Sequence, residues 1–501
     1  MLVGGFALFG VGVFDCLNFT VDDTFIPFRF AENLAAGRGL VFNPGERVEG
    51  YSNFLWTLTL GLLAKLGFTQ QRGDLSLLLA AKASALVFAF GTMLLAAWLA
   101  ARLPRSLGGE GTGMLSMAVL GLGASFSFAA WTMSGMETAM CAFLVTLAVG
   151  LMLTALVRYD ISSTIARARF LAGGVAFGIA TLVRPEQIFI WALATTGFLV
   201  VAPTRLRRTV AVAALPTLAI HAAYLLWRWE YYGTFIPNSV VAKWGPGIIY
   251  AILGTKYAFA GLTGSIGVIG LGLLGLPALI KRGTAWGFLA VYVGSYLAFI
   301  VISGGDWMPG FRFFVPVYPL LWLLSVASFT VLLARVTPRL PSVWVAGLTL
   351  VLVVGSFFGS RSLVRAQSPF STGFKQRVWV TSPERVTTAK ELRTLLPAGS
   401  ELALGECGYI PYFNPDIRIF DVFGLMEPKI ARMPGLHTHK LTSAYFTQRR
   451  PDFYLMMVRE DAIRTAIPTH PDGEALLASP DFRERYEAWR QFPGFVLYRR
   501  R

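Results

Sequence analysis

A chain of 501 residues that is 55% hydrophobic and only 14% charged, with mean hydropathy +0.58, is a polytopic membrane protein and not a soluble globular one. Its formal charge of +16 could point to nucleic acid, but Lys and Arg stand in short clusters between apolar runs, where they act as topology signals; no basic stripe with interleaved aromatics occurs. Three cysteines exclude a disulfide framework, since Cys16 and Cys141 lie in apolar segments and leave Cys407 without an obvious partner.

A helix needs about 20 apolar residues to cross a roughly 30 Å core, and the chain offers about eleven such runs. In order they are Met1 to Asn18, Leu77 to Leu103, Met114 to Trp131, Thr138 to Val157, Phe170 to Val183, Ile188 to Ala202, Val210 to Trp229, Leu262 to Ile280, Trp286 to Ile302, Phe314 to Leu333 and Val343 to Phe358. The first run lacks a basic leader and a small-residue cleavage site, so it reads as a retained span. The basic linkers are Arg102/Arg105, Arg158/Arg167/Arg169, Arg205/Arg207/Arg208, Lys281/Arg282 and Arg335/Arg339. With alternating spans all of them fall on one side, which the positive-inside rule makes cytoplasmic, as it does the N-terminus.

The outer loop 19–75 contains a further apolar stretch, Phe54 to Phe68, with Trp56 at one end and Lys65 near the other. A crossing there would turn every later basic cluster outward, so the stretch is expected to lie along the interface. A membrane domain therefore covers 1–360. From 361 to 501 the chain is polar, with short apolar runs broken by Pro, Gly, Asp and Asn. Glu401 to Gly405, Ile417 to Asp421, Asp452 to Met457 and Gly494 to Tyr498 read as strands and Pro383 to Leu396 as a helix, giving a small α/β domain on the outer, periplasmic side.

Along the outer face the first motif is Asp22-Asp23-Thr24-Phe25. Either Asp could cap a helix through Phe25, Phe28, Phe30 and Leu34 that stops at Gly37, with Pro27 tolerated in its first turn. Capping accounts for one carboxylate and leaves the other for general-base or metal-ligand work. Gly37-Arg-Gly-Leu-Val-Phe-Asn-Pro-Gly lacks the spacing and context of a phosphate cradle and reads as turns. Ser134-Gly-Met-Glu137, Arg184-Pro-Glu186, Pro237-Asn238 with Lys243, and Gly304-Gly305-Asp306 with Arg312 follow on the same side. Each could be a cap or a snorkelling charge, but their one-sided clustering is what a site at the lipid surface needs. Arg184, Lys243 and Arg312 suit a phosphate, arginine by its bidentate fork and lysine as a point charge. His437-Thr-His439-Lys440 lacks the further ligands a zinc site requires and reads as substrate contact or loop.

Asp-Asp-Thr-Phe-Ile, Phe28-Arg-Phe-Ala-Glu-Asn, Gly39-Leu-Val-Phe-Asn-Pro-Gly-Glu and Glu49-Gly-Tyr-Ser-Asn-Phe-Leu-Trp resemble the first outer loop of the mycobacterial terminal β-1,2-arabinofuranosyltransferase family. Gly-Met-Glu-Thr at 135–138, Arg-Pro-Glu at 184–186, Pro-Asn-Ser with Lys243, Gly-Gly-Asp with Arg312, and Asp421-Val-Phe-Gly-Leu extend the similarity over nearly the whole chain. The family belongs to the GT-C glycosyltransferases, and the resemblance implies their plan: many spans, an aspartate in the first outer loop, interfacial helices and a periplasmic C-terminal domain. It implies transfer of arabinofuranose or a similar sugar from a polyprenyl-phosphate donor to a cell-envelope glycan or lipid. Asp22 or Asp23 would be catalytic, with a divalent cation (Mg, Mn or Ca) as an optional partner. Arg184, Lys243 and Arg312 would hold the donor phosphate. Arg29, Glu49, Tyr51, Asn53, Glu137, Glu186, Asn238, Asp306, His437 and Lys440 would contact substrate. The implied partners are donor, acceptor and membrane lipids, without nucleic acid, in the bacterial inner membrane. A transporter or flippase of a lipid-linked substrate is the alternative; it would want inverted repeats and mid-membrane charges.

Overall fold

A computed structural model describes residues 1–70, 75–103, 107, 111–158, 160, 163–243, 247–263, 266–336, 342–366, 383–435, 437–458 and 468–501. Arg105 and Arg339 of the basic linkers lie outside the described residues. The chain packs as two compact units. The first joins Met1–Phe19, Lys82–Tyr224 and Gly247–Val378; the second joins Thr20–Ala81, Leu225–Pro246 and Trp379–Arg501.

Among the described residues seven helices are long and apolar enough to cross a bilayer: Ser76–Arg102, Thr138–Arg158, Thr164–Val183, Thr204–Tyr232, Thr284–Ile302, Tyr318–Arg335 and Gly347–Ala366. Leu115–Ala124 and Phe126–Thr132, bent by 58° at Ser125, form an eighth if the pair is one span. Against the expected eleven or so crossings, the described residues thus supply seven or eight candidate spans by length and composition. The runs beginning at Met1, Ile188 and Leu262 form only Leu2–Asp15, Gln187–Val201 and Ile266–Ile280, of 14, 15 and 15 residues. At 1.5 Å per residue these reach roughly 21–23 Å, short of the roughly 30 Å hydrocarbon core. Phe54–Lys65, with 12 residues, is also too short to cross, as expected of that stretch.

Small residues set helix approach in the first unit, where lipid tails leave packing to do what water does elsewhere. A Cβ at Gly272 would come within 2.6 Å of the Ser325 carbonyl oxygen, and one at Gly5 within 2.6 Å of the Val119 oxygen. Those glycines let Ile266–Ile280 lie against Tyr318–Val336, and Leu2–Asp15 against Gly111–Ala124.

The second unit is built on a five-stranded sheet of β1 (Glu401–Leu404), β2 (Arg418–Asp421), β3 (Phe453–Met457), β4 (Tyr486–Phe492) and β5 (Phe495–Arg500), in the order β2-β1-β3-β5-β4. β1 pairs in parallel with β2 and β3, whereas β3–β5 and β5–β4 are antiparallel, with a bulge between Ala488 and Arg490. β3 is almost wholly buried and sits at the centre, as its unbroken apolar run requires. β1, β2, β3 and β5 fall on the four expected strands and Pro383–Leu395 on the expected helix. The edge strand β4 carries Glu487, Arg490 and Gln491 and escaped sequence reading. Phe446, Tyr454, Phe482, Tyr486 and Tyr498 form the aromatic core.

Candidate functional site

The acidic pair sits in the second unit on a single 3-10 turn, Asp22–Thr24, that leads into the helix Phe25–Ala35. Neither carboxylate caps that helix. Asp22 instead reaches the start of the helix Tyr409–Phe413, where its Oδ2 accepts from the Gly408 amide at 3.0 Å and its Oδ1 from the Tyr409 amide at 2.9 Å. The approach is so close that a Cβ at Gly408 would overlap the Asp22 carboxylate. Burial, then the neighbouring Glu406 carboxylate, pushes the Asp22 carboxyl up to about 7; Arg385 and the Tyr409 amide pull the other way. Asp23, half-buried beside it, makes no hydrogen bond or ion pair with a described residue. The two acids thus divide: Asp22 ties the loop down and Asp23 keeps its oxygens for other work.

Arg29 is committed internally. Its guanidinium donates to the carbonyls of Phe42 (2.9 Å), Pro411 (2.5 Å), Asn414 (3.3 Å) and Ile417 (2.8 Å) and lies over the Phe42 ring. It fastens the first loop to the C-terminal segment, with four of its five N–H groups given to backbone carbonyls. Asn43 does the same at the sheet edge, donating to the Ile419 carbonyl and accepting from its amide, at 2.8 and 3.0 Å. Glu49 forms an ion pair with Arg228 at 2.8 Å, with side chains 0% and 4% exposed. Tyr51 meets the Tyr232 hydroxyl at 3.1 Å, and Asn53 Oδ1 accepts from the Thr57 hydroxyl. Asn238 donates to the Gly424 and Leu425 carbonyls. These four positions are buried and internally bonded, so they shape the unit.

Lys243, exposed at the end of the short helix Asn238–Lys243, also belongs to the second unit. Lys440 donates to the Ala431 carbonyl at 2.9 Å. Burial, followed by the Lys243 and Lys440 cations, brings His437 down to about 4, so its ring is neutral at pH 7.

The first unit holds the other charges. Arg184 Nη1 lies 2.7 Å from Glu137, and its Nε pairs with Glu186. Arg312 grips Asp306 with two nitrogens, at 2.7 and 3.2 Å. Arg184 and Arg312 flank one ring, that of Phe313, at 5.3 and 5.5 Å from its centroid. Two guanidiniums therefore share a cluster with three carboxylates. The fork of each arginine is oriented before any ligand arrives, but a phosphate must draw it partly away from its acids.

Both Asp22 oxygens accept from amides, and no group of three His, Cys, Asp or Glu suited to a metal occurs among the described residues. Sequence reading missed the Glu49–Arg228 pair and the Gly408–Tyr409 amides that hold Asp22. Only the polarity of Arg228 within an apolar run signalled the first.

A family model described as a domain of unknown function (DUF8728) matches residues 377–501. The chain is homologous to terminal β-(1→2)-arabinofuranosyltransferases. It is 34% identical over 256 residues to the one from Mycobacterium tuberculosis, covering 48% of this chain and 38% of that protein. It is 29% identical over 346 residues to the one from Corynebacterium glutamicum, covering 62% and 48%. The chain thus spans less than half the length of these relatives. In fold it resembles the crystal structure of ArnT from Cupriavidus metallidurans bound to undecaprenyl phosphate, with a TM-score of 0.64 at 14% identity, over 99% of this chain and 96% of that one. The architecture shared with that structure is a polytopic helical membrane protein with, in this chain, a mixed α/β sheet domain at the C-terminus.

Proposed function

We propose that this multi-pass membrane protein is a glycosyltransferase that moves arabinofuranose or a similar sugar from a polyprenyl-phosphate donor to a cell-envelope glycan or lipid, at the outer face of the bacterial inner membrane. The observation that carries the reading is the Asp22–Asp23 turn, with one carboxylate bound and one open, in a chain homologous to arabinofuranosyltransferases. A donor with a lipid phosphate accords with the undecaprenyl phosphate bound to ArnT.

In this reading the acceptor hydroxyl attacks the anomeric carbon, the sugar–phosphate bond breaks, and polyprenyl phosphate leaves with both electrons of that bond. Asp23 takes the hydroxyl proton, a role that a carboxylate fills by its position beside the acceptor. Asp22 keeps the turn in place. Arg184 and Arg312 hold the leaving phosphate, an electrostatic contribution that grows where water is excluded. Glu137, Glu186 and Asp306 orient the two forks.

The direct test is transfer by the purified chain in liposomes, from a synthetic polyprenyl-phosphate arabinofuranose to an arabinan acceptor, with the product identified by mass spectrometry. No product from this donor or from other polyprenyl-phosphate pentoses would end the proposal. Arg312→Ala or Arg184→Ala should weaken donor binding by about 2–5 kcal/mol, because a buried acid is left unpaired as well. Lysine at either position should recover only part, lacking the planar fork. Undiminished donor affinity in both alanine variants would move the phosphate elsewhere.

Orientation has its own test. Cysteine at the exposed position of Pro44 should react with an impermeant maleimide in intact spheroplasts, and cysteine at exposed Arg207 only after permeabilisation. The natural Cys16, Cys141 and Cys407 are buried and free, which keeps the background low. The opposite pattern would invert the topology.

A further inference from the structure

The second unit contains a polar groove of about 850 Å³ that the proposed chemistry does not use, within the size range of sites that take whole ligands. Its charged lining comprises Arg38, Lys65, Arg393 and Arg418 against Glu32 and Asp416. Among the described residues the lining includes no aromatic ring, so a neutral sugar face finds no stacking partner there.

The cations are not equally occupied. Arg38 Nε donates to Asn33 Oδ1, and Arg418 pairs with Glu46 and, at 3.5 Å, with Glu401. Lys65 and Arg393, both exposed, have no ion-pair partner among the described residues. Of the acids, Glu32 is turned inward, its Oε1 accepting from the Tyr412 hydroxyl at 2.8 Å and the Gln70 amide at 3.0 Å. The groove therefore presents an excess of positive charge with open valence, and an anionic, hydrophilic ligand answers it.

The groove also adjoins the acidic turn through covalent and hydrogen-bonded links. Glu32 stands on the helix that follows Asp23, some nine residues on, or roughly 14 Å along its axis. Tyr412, which donates to Glu32, lies on the helix whose first amides Asp22 holds. A ligand running from the groove to the turn must be an oligomer and not a single sugar.

We propose that this groove binds an anionic stretch of the acceptor glycan, one bearing carboxylate or phosphate groups, and so selects which envelope polymer is extended. The inference rests on the transferase reading for the word acceptor, but its binding test does not. Hexagalacturonate serves as the anionic probe and an arabinan hexamer as the neutral one, each titrated calorimetrically into the full detergent-purified chain. The charge-reversed pair Lys65→Glu/Arg393→Glu alters two exposed side chains, so it should keep the thermal midpoint of the parent.

Hexagalacturonate should bind the parent with an affinity that falls as salt rises, and the double variant should bind at least about tenfold more weakly, or about 1.4 kcal/mol. In transfer assays the same variant should raise KM for an anionic acceptor while leaving donor KM and kcat unchanged. Equal affinity in variant and parent overturns the proposal. So does an equal loss of the neutral hexamer, or a loss of binding to phosphatidylglycerol vesicles with hexagalacturonate binding intact, which would make the groove a headgroup site. Probe binding by a chain that transfers nothing would retain the anion site and remove only the transferase.

Discussion

Asp23→Asn should lower the transfer rate about 10²- to 10⁴-fold with little change in donor affinity or thermal midpoint. The substitution is nearly isosteric, and Asp23 bonds to no described residue, so folding loses no partner. Only the ability to accept a proton disappears. Asp22→Asn is the informative contrast. Both Asp22 oxygens accept amide hydrogens, and an asparagine offers one acceptor where two are needed, turning its NH₂ toward an N–H. An unsatisfied buried donor costs about 1–3 kcal/mol, so this variant should show a lowered midpoint together with reduced activity. Wild-type turnover by Asp23→Asn would remove the base, and with it the proposed mechanism.

Arg228→Ala should destabilise the chain by about 3–5 kcal/mol, because it removes a buried ion-pair partner of the Glu49 carboxylate, whose side chain is 0% exposed. The double replacement Arg228→Met/Glu49→Gln should restore most of the loss, since no charge is then buried alone. The measurement is thermal unfolding in detergent, with hydrogen exchange at the Asn238 amide, which donates to the Glu49 carbonyl at 2.9 Å. Equal losses in the single and double variants would show that shape, not charge, holds this corner.

How much of this was legible in the sequence depends on the reach of each interaction. Helices with long apolar runs, and strands whose apolar residues are contiguous, are local and were readable from Ser76–Arg102 to β5. Some apolar runs outlast their helices: the first helix ends at Asp15, whose carboxylate pairs with Arg361 and, at 3.4 Å, with Arg365 on the last long helix of the first unit. The outer-loop motif was visible, but the distinct parts of Asp22 and Asp23 were not. They are adjacent in sequence and are told apart by Gly408, which no local pattern connects to them. Arg29 looked like a substrate cation for the same reason. The carbonyls that absorb it include three from beyond residue 410. Strand β4 failed for another reason: at an edge, burial alternates with exposure, and Glu487, Arg490 and Gln491 read as loop.

The tie between Asp22 and Gly408 spans 386 residues, which sets an order of events during synthesis. At about 5–20 residues per second, the acidic loop emerges roughly 20–80 seconds before the segment that will hold it. Through that interval Phe25, Phe28 and Phe30, all fully buried at the end, have no finished wall to pack against. A holdase or the membrane surface must shelter them, and a ribosome stalled before residue 408 leaves a chain whose apolar outer loop is open to proteases. The same dependence bears on dissection of the protein. A fragment cut at 377–501 lacks Arg29, Asn43 and Asp22, so its Pro411, Ile417 and Ile419 carbonyls and its Gly408 amide lose their partners. Secretion of that fragment should succeed only when residues 20–81 are supplied alongside it.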